Sequence, residues 1–188
     1  MIGLVFNILT DLFLLLFPFL FISREIGAKI SKPKGFDSIL TWLGLKAIPL
    51  KEFAVRTLIL FIAITFSGLL LSWLFSIIGI SDLENVSASI LDIWKNAPLF
   101  LVYLLVVRVV AEEIFFRGFL VKKWGILVST VLFALAHAFY YSFVEVAGAF
   151  VLGLILAIGF KKGGNLFPVI ATHFLYNLLA LGFMTGVF

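Results

Sequence analysis

Apolar positions along the chain gather into six long runs, roughly residues 2–22, 57–80, 97–120, 125–141, 144–160 and 166–188, each broken by few charges. A mostly apolar stretch of about 17 to 25 residues can cross the hydrocarbon layer as an α-helix. The pattern therefore predicts an all-α, polytopic transmembrane helix bundle with about six spans. Asn96 and Pro98 before the third run, and Asn165 and Pro168 before the sixth, are residue types that open helices. The first run lacks a positive n-region and a small-residue cleavage site, so it reads as a retained helix and not a secretory signal. In the longest connection, residues 23–56, Phe36, Ile39, Leu40 and Leu43 follow i, i+3, i+4, i+7 spacing. This predicts a short helix in the headgroup plane with Lys34, Lys46 and Lys51 near anionic lipid, or else an ordinary surface connector. No internal repeat stands out, and residues 1–188 read as one integral-membrane domain.

Composition points the same way. Hydrophobic residues make up 63% of the chain and charged residues 13%, and the mean hydropathy of +1.24 lies far outside the soluble globular range. The absence of Cys removes disulfides, thiolate metal sites and a cysteine nucleophile. The net charge of +4 does not imply nucleic-acid binding, because the basic residues border apolar runs and form no groove-like cluster with interleaved aromatics. Their role is topological. Arg24, Lys29, Lys32, Lys34, Lys46, Lys51 and Arg56 follow the first run, Lys122 and Lys123 the third, and Lys161 and Lys162 the fifth. The other connections hold Lys95 against Asp82, Glu84, Asp92 and Glu145. The positive-inside rule then places the connections after runs one, three and five in the cytoplasm and both termini outside.

The stretch "VVRVVAEEIFFRGFL", residues 106–120, departs from the apolar pattern. Each ionisable side chain at mid-membrane costs about 2.5 to 3.5 kcal/mol on insertion scales unless it pairs or reaches water. Helical spacing predicts two i, i+4 pairs, Arg108 with Glu112 and Glu113 with Arg117, and an ion-pair network would be a purely structural explanation. That explanation leaves out the two histidines. Counted at 1.5 Å per residue from the expected helix ends, Glu112 is roughly 15 Å deep, His137 roughly 18 Å and His173 roughly 10 Å, with Asn177 one turn further. Three helices thus bring polar groups to one layer, expected to face the cytoplasm. Phe133 and His137 share a face, as do His173 and Asn177. Asp11, in the first run, has no evident partner.

In order, "EEIFFR" (Glu112, Glu113, Arg117), "FALAH" (Phe133, His137) and "HFLYN" (His173, Asn177) resemble the motifs EExxxR, FxxxH and HxxxN. These motifs mark the intramembrane family of CAAX prenyl proteases and bacteriocin-processing enzymes that includes the Ras-converting enzyme. The resemblance covers a core of about residues 98–179, and "WLGLK" upstream is similar to a short element of bacterial and archaeal members. It implies an intramembrane endopeptidase of glutamate type without a cofactor. Glu112 would be the catalytic glutamate, His137 would help to position and polarise the water, and His173 and Asn177 would support the oxyanion. Glu113 and Arg117 would hold the helix in register, while Phe133 and Arg108 support the site. The chain departs from larger members in having six spans where they have eight, so helices that act there as a wall or gate are absent or come from a partner.

The chemistry leaves three alternatives open. Glu112, His137 and His173 are also a legitimate ligand set for a catalytic zinc. A non-proteolytic membrane scaffold or immunity-type factor would keep the fold without the reaction, and a transporter would use intramembrane charges as an ion path. Ala149, Gly153 and Ala157 permit close helix packing under each reading. Under the protease reading the partners are membrane lipid and a peptide substrate: a membrane-associated or C-terminally lipidated protein, or a leader peptide. No feature fixes the oligomeric state or the substrate's identity.

Overall fold

The computed structural model describes the backbone of residues 2–29 and 36–186, and the side chains of residues 5–25 and 36–186. Lys32, Lys34 and the last two residues of the sixth run lie outside that range. The elements are α1 (Ile2–Lys29), α2 (Phe36–Leu43), α3 (Leu50–Ile77), α4 (Glu84–Asn96), α5 (Pro98–Tyr103), α6 (Val109–Glu112), α7 (Val121–Ala136), α8 (Phe143–Gly163) and α9 (Phe167–Thr185). No strand occurs among the described residues.

Among the described residues four stretches are long and apolar enough to cross a membrane: Val5–Glu25, Leu50–Ile77, Phe143–Gly163 and Phe167–Thr185. They correspond to the first, second, fifth and sixth runs. The third and fourth runs are helical too, but they are not plain α-helices. Between Pro98 and Leu120 the backbone is continuous, yet two segments, Leu104–Arg108 and Glu113–Leu120, are π-helical. We refer to residues 98–120 as the motif helix. α7 breaks at Gly125, whose φ of 87° is accessible to glycine and strained for other residues.

Local chemistry explains the helix ends. Asn165 accepts the Phe167 N–H at 2.9 Å and Pro168 sits in the first turn of α9, as the sequence predicts. Asn96 does not cap the third run: it is the last residue of α4 and donates to Asp92 Oδ1 at 2.8 Å, so that Pro98 opens the motif helix behind Ala97. The small residues of α8 work as expected. Ala149, Gly153 and Ala157 are buried, and a Cβ on Gly153 would come within 2.9 Å of Phe133, which locks α8 against α7.

The two ends of the bundle differ. At one end the "WLGLK" element is tied to the α8–α9 turn: Leu166 N donates to Gly44 O at 2.9 Å and Asn165 Nδ2 to Lys46 O at 2.6 Å. Lys122 donates to Trp42 O and lies over the Trp42 and Phe160 rings, and Lys123 pairs with Glu25. Arg56 donates to the C-terminal carbonyl of α8, Gly163 O, at 2.8 Å. At the other end Asp82 binds the start of α8, accepting from Ser142 Oγ at 2.7 Å, Phe143 N at 2.5 Å and Val144 N at 3.1 Å, while Ser142 Oγ accepts from Glu145 N at 3.0 Å.

The Ser142 hydroxyl, followed by the two backbone N–H groups, holds the Asp82 carboxyl below the ordinary aspartate range. A carboxyl with a folded-state pKa below its unfolded value supports the fold fully above that unfolded value. Its contribution falls away as the pH drops through the folded-state value. Amide-exchange protection at residues 143–145 is therefore expected to hold down through the ordinary aspartate range and to be lost only below it. Asp82→Ala should remove the protection at neutral pH. Unchanged exchange in Asp82→Ala would show that Asp82 does not cap α8.

Candidate active site

The motif helix carries two adjacent carboxylates that point to different environments. Glu112, 9% exposed, lines a cavity of about 760 Å3, whereas Glu113 is fully buried. Glu113 Oε1 accepts from Arg117 Nη1 at 2.8 Å and lies 2.8 Å from His173 Nδ1. The expected Glu113–Arg117 pair is present. Arg117 extends further, donating to Gly153 O at 3.3 Å and placing its guanidinium 4.0 Å from the Phe133 ring centroid. Ser129 of α7 donates to Phe116 O at 2.7 Å and so anchors the π-segment to the neighbouring helix.

The other expected pair is not formed. Arg108 turns to α1, where its Nη2 lies 3.1 Å from Asp11 Oδ1 and 2.8 Å from Asn7 Oδ1; Tyr103 donates to Asp11 Oδ2 at 2.6 Å. The physical reason is competition: the turn from Arg108 to Glu112 is α-helical, but Asp11 and Asn7 of α1 take the guanidinium instead. This also gives Asp11 its partner. It ties α1 to the motif helix inside the bundle.

Phe133 links the two histidines. Its ring lies 4.6 Å from His137 and 5.9 Å from His173, edge-on to the latter. His137 ends α7, and its Nδ1 lies 2.9 Å from Phe133 O. A carbonyl only accepts, so Nδ1 carries the proton there and Nε2 of the neutral ring is an acceptor. The same holds for His173 against the Glu113 carboxylate. His173 can therefore donate through Nε2 only as an imidazolium, with Glu113 as its counter-ion.

Glu112, His137, His173 and Asn177 all line the one cavity, together with Phe133 and Arg108. Three lining residues carry titratable groups not anticipated as site residues from sequence: Glu145, Tyr140 and Tyr176. The available signal for Glu145 is the Ser-x-x-Glu spacing from Ser142, half of a capping box; its N–H takes the cap while its side chain borders the cavity. The walls are otherwise apolar and come from the C-terminal halves of α3 and α9, the N-terminal halves of α8 and the motif helix, and α4. Among the described residues no three His, Asp or Glu side chains are gathered so as to hold a metal ion.

Among the described residues the regular elements are all helical, four helices are long and apolar enough to cross a membrane, and a buried Glu–Arg–His cluster lies beside an apolar cavity, which together fit an integral membrane protein. Residues 94–179 match the family described as type II CAAX prenyl endopeptidase Rce1-like, a protease family, and that segment is what the chain shares with it. No curated protein and no solved structure matches the chain.

Proposed function

We propose that the chain is an intramembrane endopeptidase that hydrolyses a peptide bond by glutamate-activated water. The observation that supports this most directly is the convergence of Glu112, His137, His173 and Asn177, from three separate motifs, on one cavity. In this reading Glu112 takes a proton from water as the hydroxide oxygen bonds to the peptide carbonyl carbon. His137, its Nδ1–H held by Phe133 O, accepts a hydrogen bond from that water at Nε2. Asn177 and the imidazolium of His173 donate to the oxyanion. The C–N bond breaks as the proton held by Glu112 passes to the leaving nitrogen, which restores the carboxylate. The fold then has six crossing segments with both termini outside, the motif helix and α7 supplying the third and fourth.

The substrate class follows from the walls: an apolar peptide segment of a membrane-associated or lipidated protein, or of a leader peptide. The zinc alternative would use Glu112, His137 and His173 as ligands. The engagement of His173 Nδ1 with Glu113 leaves one nitrogen for any such role, and water activated by Glu112 needs no further group. Asn177→Ala is expected to lower turnover about 10²- to 10³-fold with little change in KM, as for loss of one oxyanion donor. The measurement uses purified enzyme in proteoliposomes and a quenched-fluorescence peptide library. Chelator should leave the unmodified enzyme active. Stoichiometric zinc that is lost in His173→Ala, together with chelator-sensitive cleavage, would replace this mechanism by the zinc one.

A further inference from the structure

The cavity carries more negative charge than its own walls balance. Apart from the two histidines, the charged residues that line it are Arg108, Glu112 and Glu145. Arg108 is already matched by Asp11, with Asn7 accepting a further bond, and Arg117 is matched by Glu113. Among the described residues neither Glu112, which is nine-tenths buried, nor Glu145 has an ion pair or a side-chain hydrogen bond. Glu112 finds its partner in the water of the reaction. Glu145 has no such role.

Glu145 lies in the first turn of α8. The Ser142 cap uses only its N–H, at 3.0 Å, and the return bond of a full capping box, from the Glu145 carboxylate to the Ser142 N–H, is not made. The carboxylate borders the cavity, where it acts electrostatically on His137, Tyr140 and Tyr176. A carboxylate within a membrane-crossing helix is costly, and one that lines a cavity points to function. There is also room beside it. Gly148 lies on the same face of α8, three residues on, and a Cβ there would meet nothing within 4 Å. Ala149 and Leu152 continue that face. Open space bounded by an apolar wall, two tyrosines and a carboxylate suits a long side chain with a positive head: its methylenes lie on the wall, the rings favour a cation, and the head meets Glu145.

From this arrangement we infer that Glu145 determines specificity by receiving a lysine or arginine side chain of the substrate. The segment cleaved is then apolar with one basic residue near the scissile bond, because Glu145 shares the cavity with His137. The inference rests on the protease reading for what is cleaved, but the cation-binding position does not depend on it.

The test uses apolar quenched-fluorescence peptides in which each position in turn carries lysine or its uncharged analogue norleucine, given to purified enzyme in detergent. At the position that meets Glu145, lysine should raise kcat/KM about 10- to 100-fold over norleucine, as for one hydrogen bond between charged groups, and mainly through KM. Glu145→Gln should abolish this preference while cleaving the norleucine peptide at the unmodified rate, and Glu145→Asp should keep part of it. A preference that persists in Glu145→Gln, or none at any position in the unmodified enzyme, overturns the inference. So does an equal loss on both peptides in a Glu145→Gln protein of normal unfolding temperature, since Glu145 would then act in the reaction itself. A second arm follows binding of the same peptides, uncleaved, to Glu112→Gln by fluorescence anisotropy. The lysine peptide should bind more tightly, and adding Glu145→Gln should remove the difference; equal binding of the two peptides overturns the inference. Binding as expected with no cleavage by the unmodified enzyme leaves the cation site standing and rejects the protease reading.

Discussion

Glu112→Gln is expected to lower peptide turnover by about 10² to 10⁴, the usual contribution of a general base, with insertion and thermal unfolding unchanged. Glutamine keeps the volume and the hydrogen-bonding reach of the side chain but cannot take a proton from water. The structure separates this effect from stability: Glu112 borders the cavity, whereas the ion pairs that hold the helices together use Glu113, Arg117, Arg108 and Asp11. Glu113→Gln disturbs the partner of His173 and Arg117 and should fail in both respects, with lower turnover and a lower unfolding temperature. Normal cleavage by Glu112→Gln would remove Glu112 from the mechanism.

Arg117→Ala carries the largest expected cost in stability. It would leave Glu113 as a fully buried carboxylate and empty the guanidinium's place against Phe133 and Gly153 O. Breaking one side of a buried ion pair costs about 3 to 5 kcal/mol, because the remaining charge is uncompensated. Thermal unfolding in detergent, followed by circular dichroism, should show a marked drop. Arg117→Lys should not restore it, since an ammonium cannot span the carboxylate, the ring and the carbonyl with one planar group. The double variant Glu113→Gln, Arg117→Met should be more stable than Arg117→Ala alone, because the buried carboxylate is removed together with its guanidinium. A double variant as unstable as the single one would mean that packing, and not charge, sets the cost.

Several of these relations were legible in the chain. The Glu113–Arg117 pair, the shared face of Phe133 and His137, the small-residue face of α8 and the opening of α9 by Asn165 all depend on spacings within one helix. Those spacings survive folding. What could not be read is non-local or depends on helix type. Nothing near Asp11 in sequence announces Arg108, and nothing near Glu113 announces His173. The Arg108–Glu112 expectation failed because Asp11 and Asn7, far away in sequence, take the guanidinium. Gly125 and the π-segments likewise divide runs that hydropathy alone presents as two more simple spans. Which half of each helix forms the cavity wall likewise required the packed bundle.

The two π-segments also fix how the chain tolerates length changes. A π-turn holds an extra residue at nearly the rise of an α-turn, so each behaves as an insertion absorbed without breaking the helix. Deleting one residue within Leu104–Arg108 would let that turn relax to α with Tyr103 and Glu112 kept near their present relation. A deletion in a plain α-helix would instead swing everything before it by about 100°. In this segment it would trade the wider winding for an ordinary one, so the motif helix should accept a one-residue deletion there better than within Val109–Glu112.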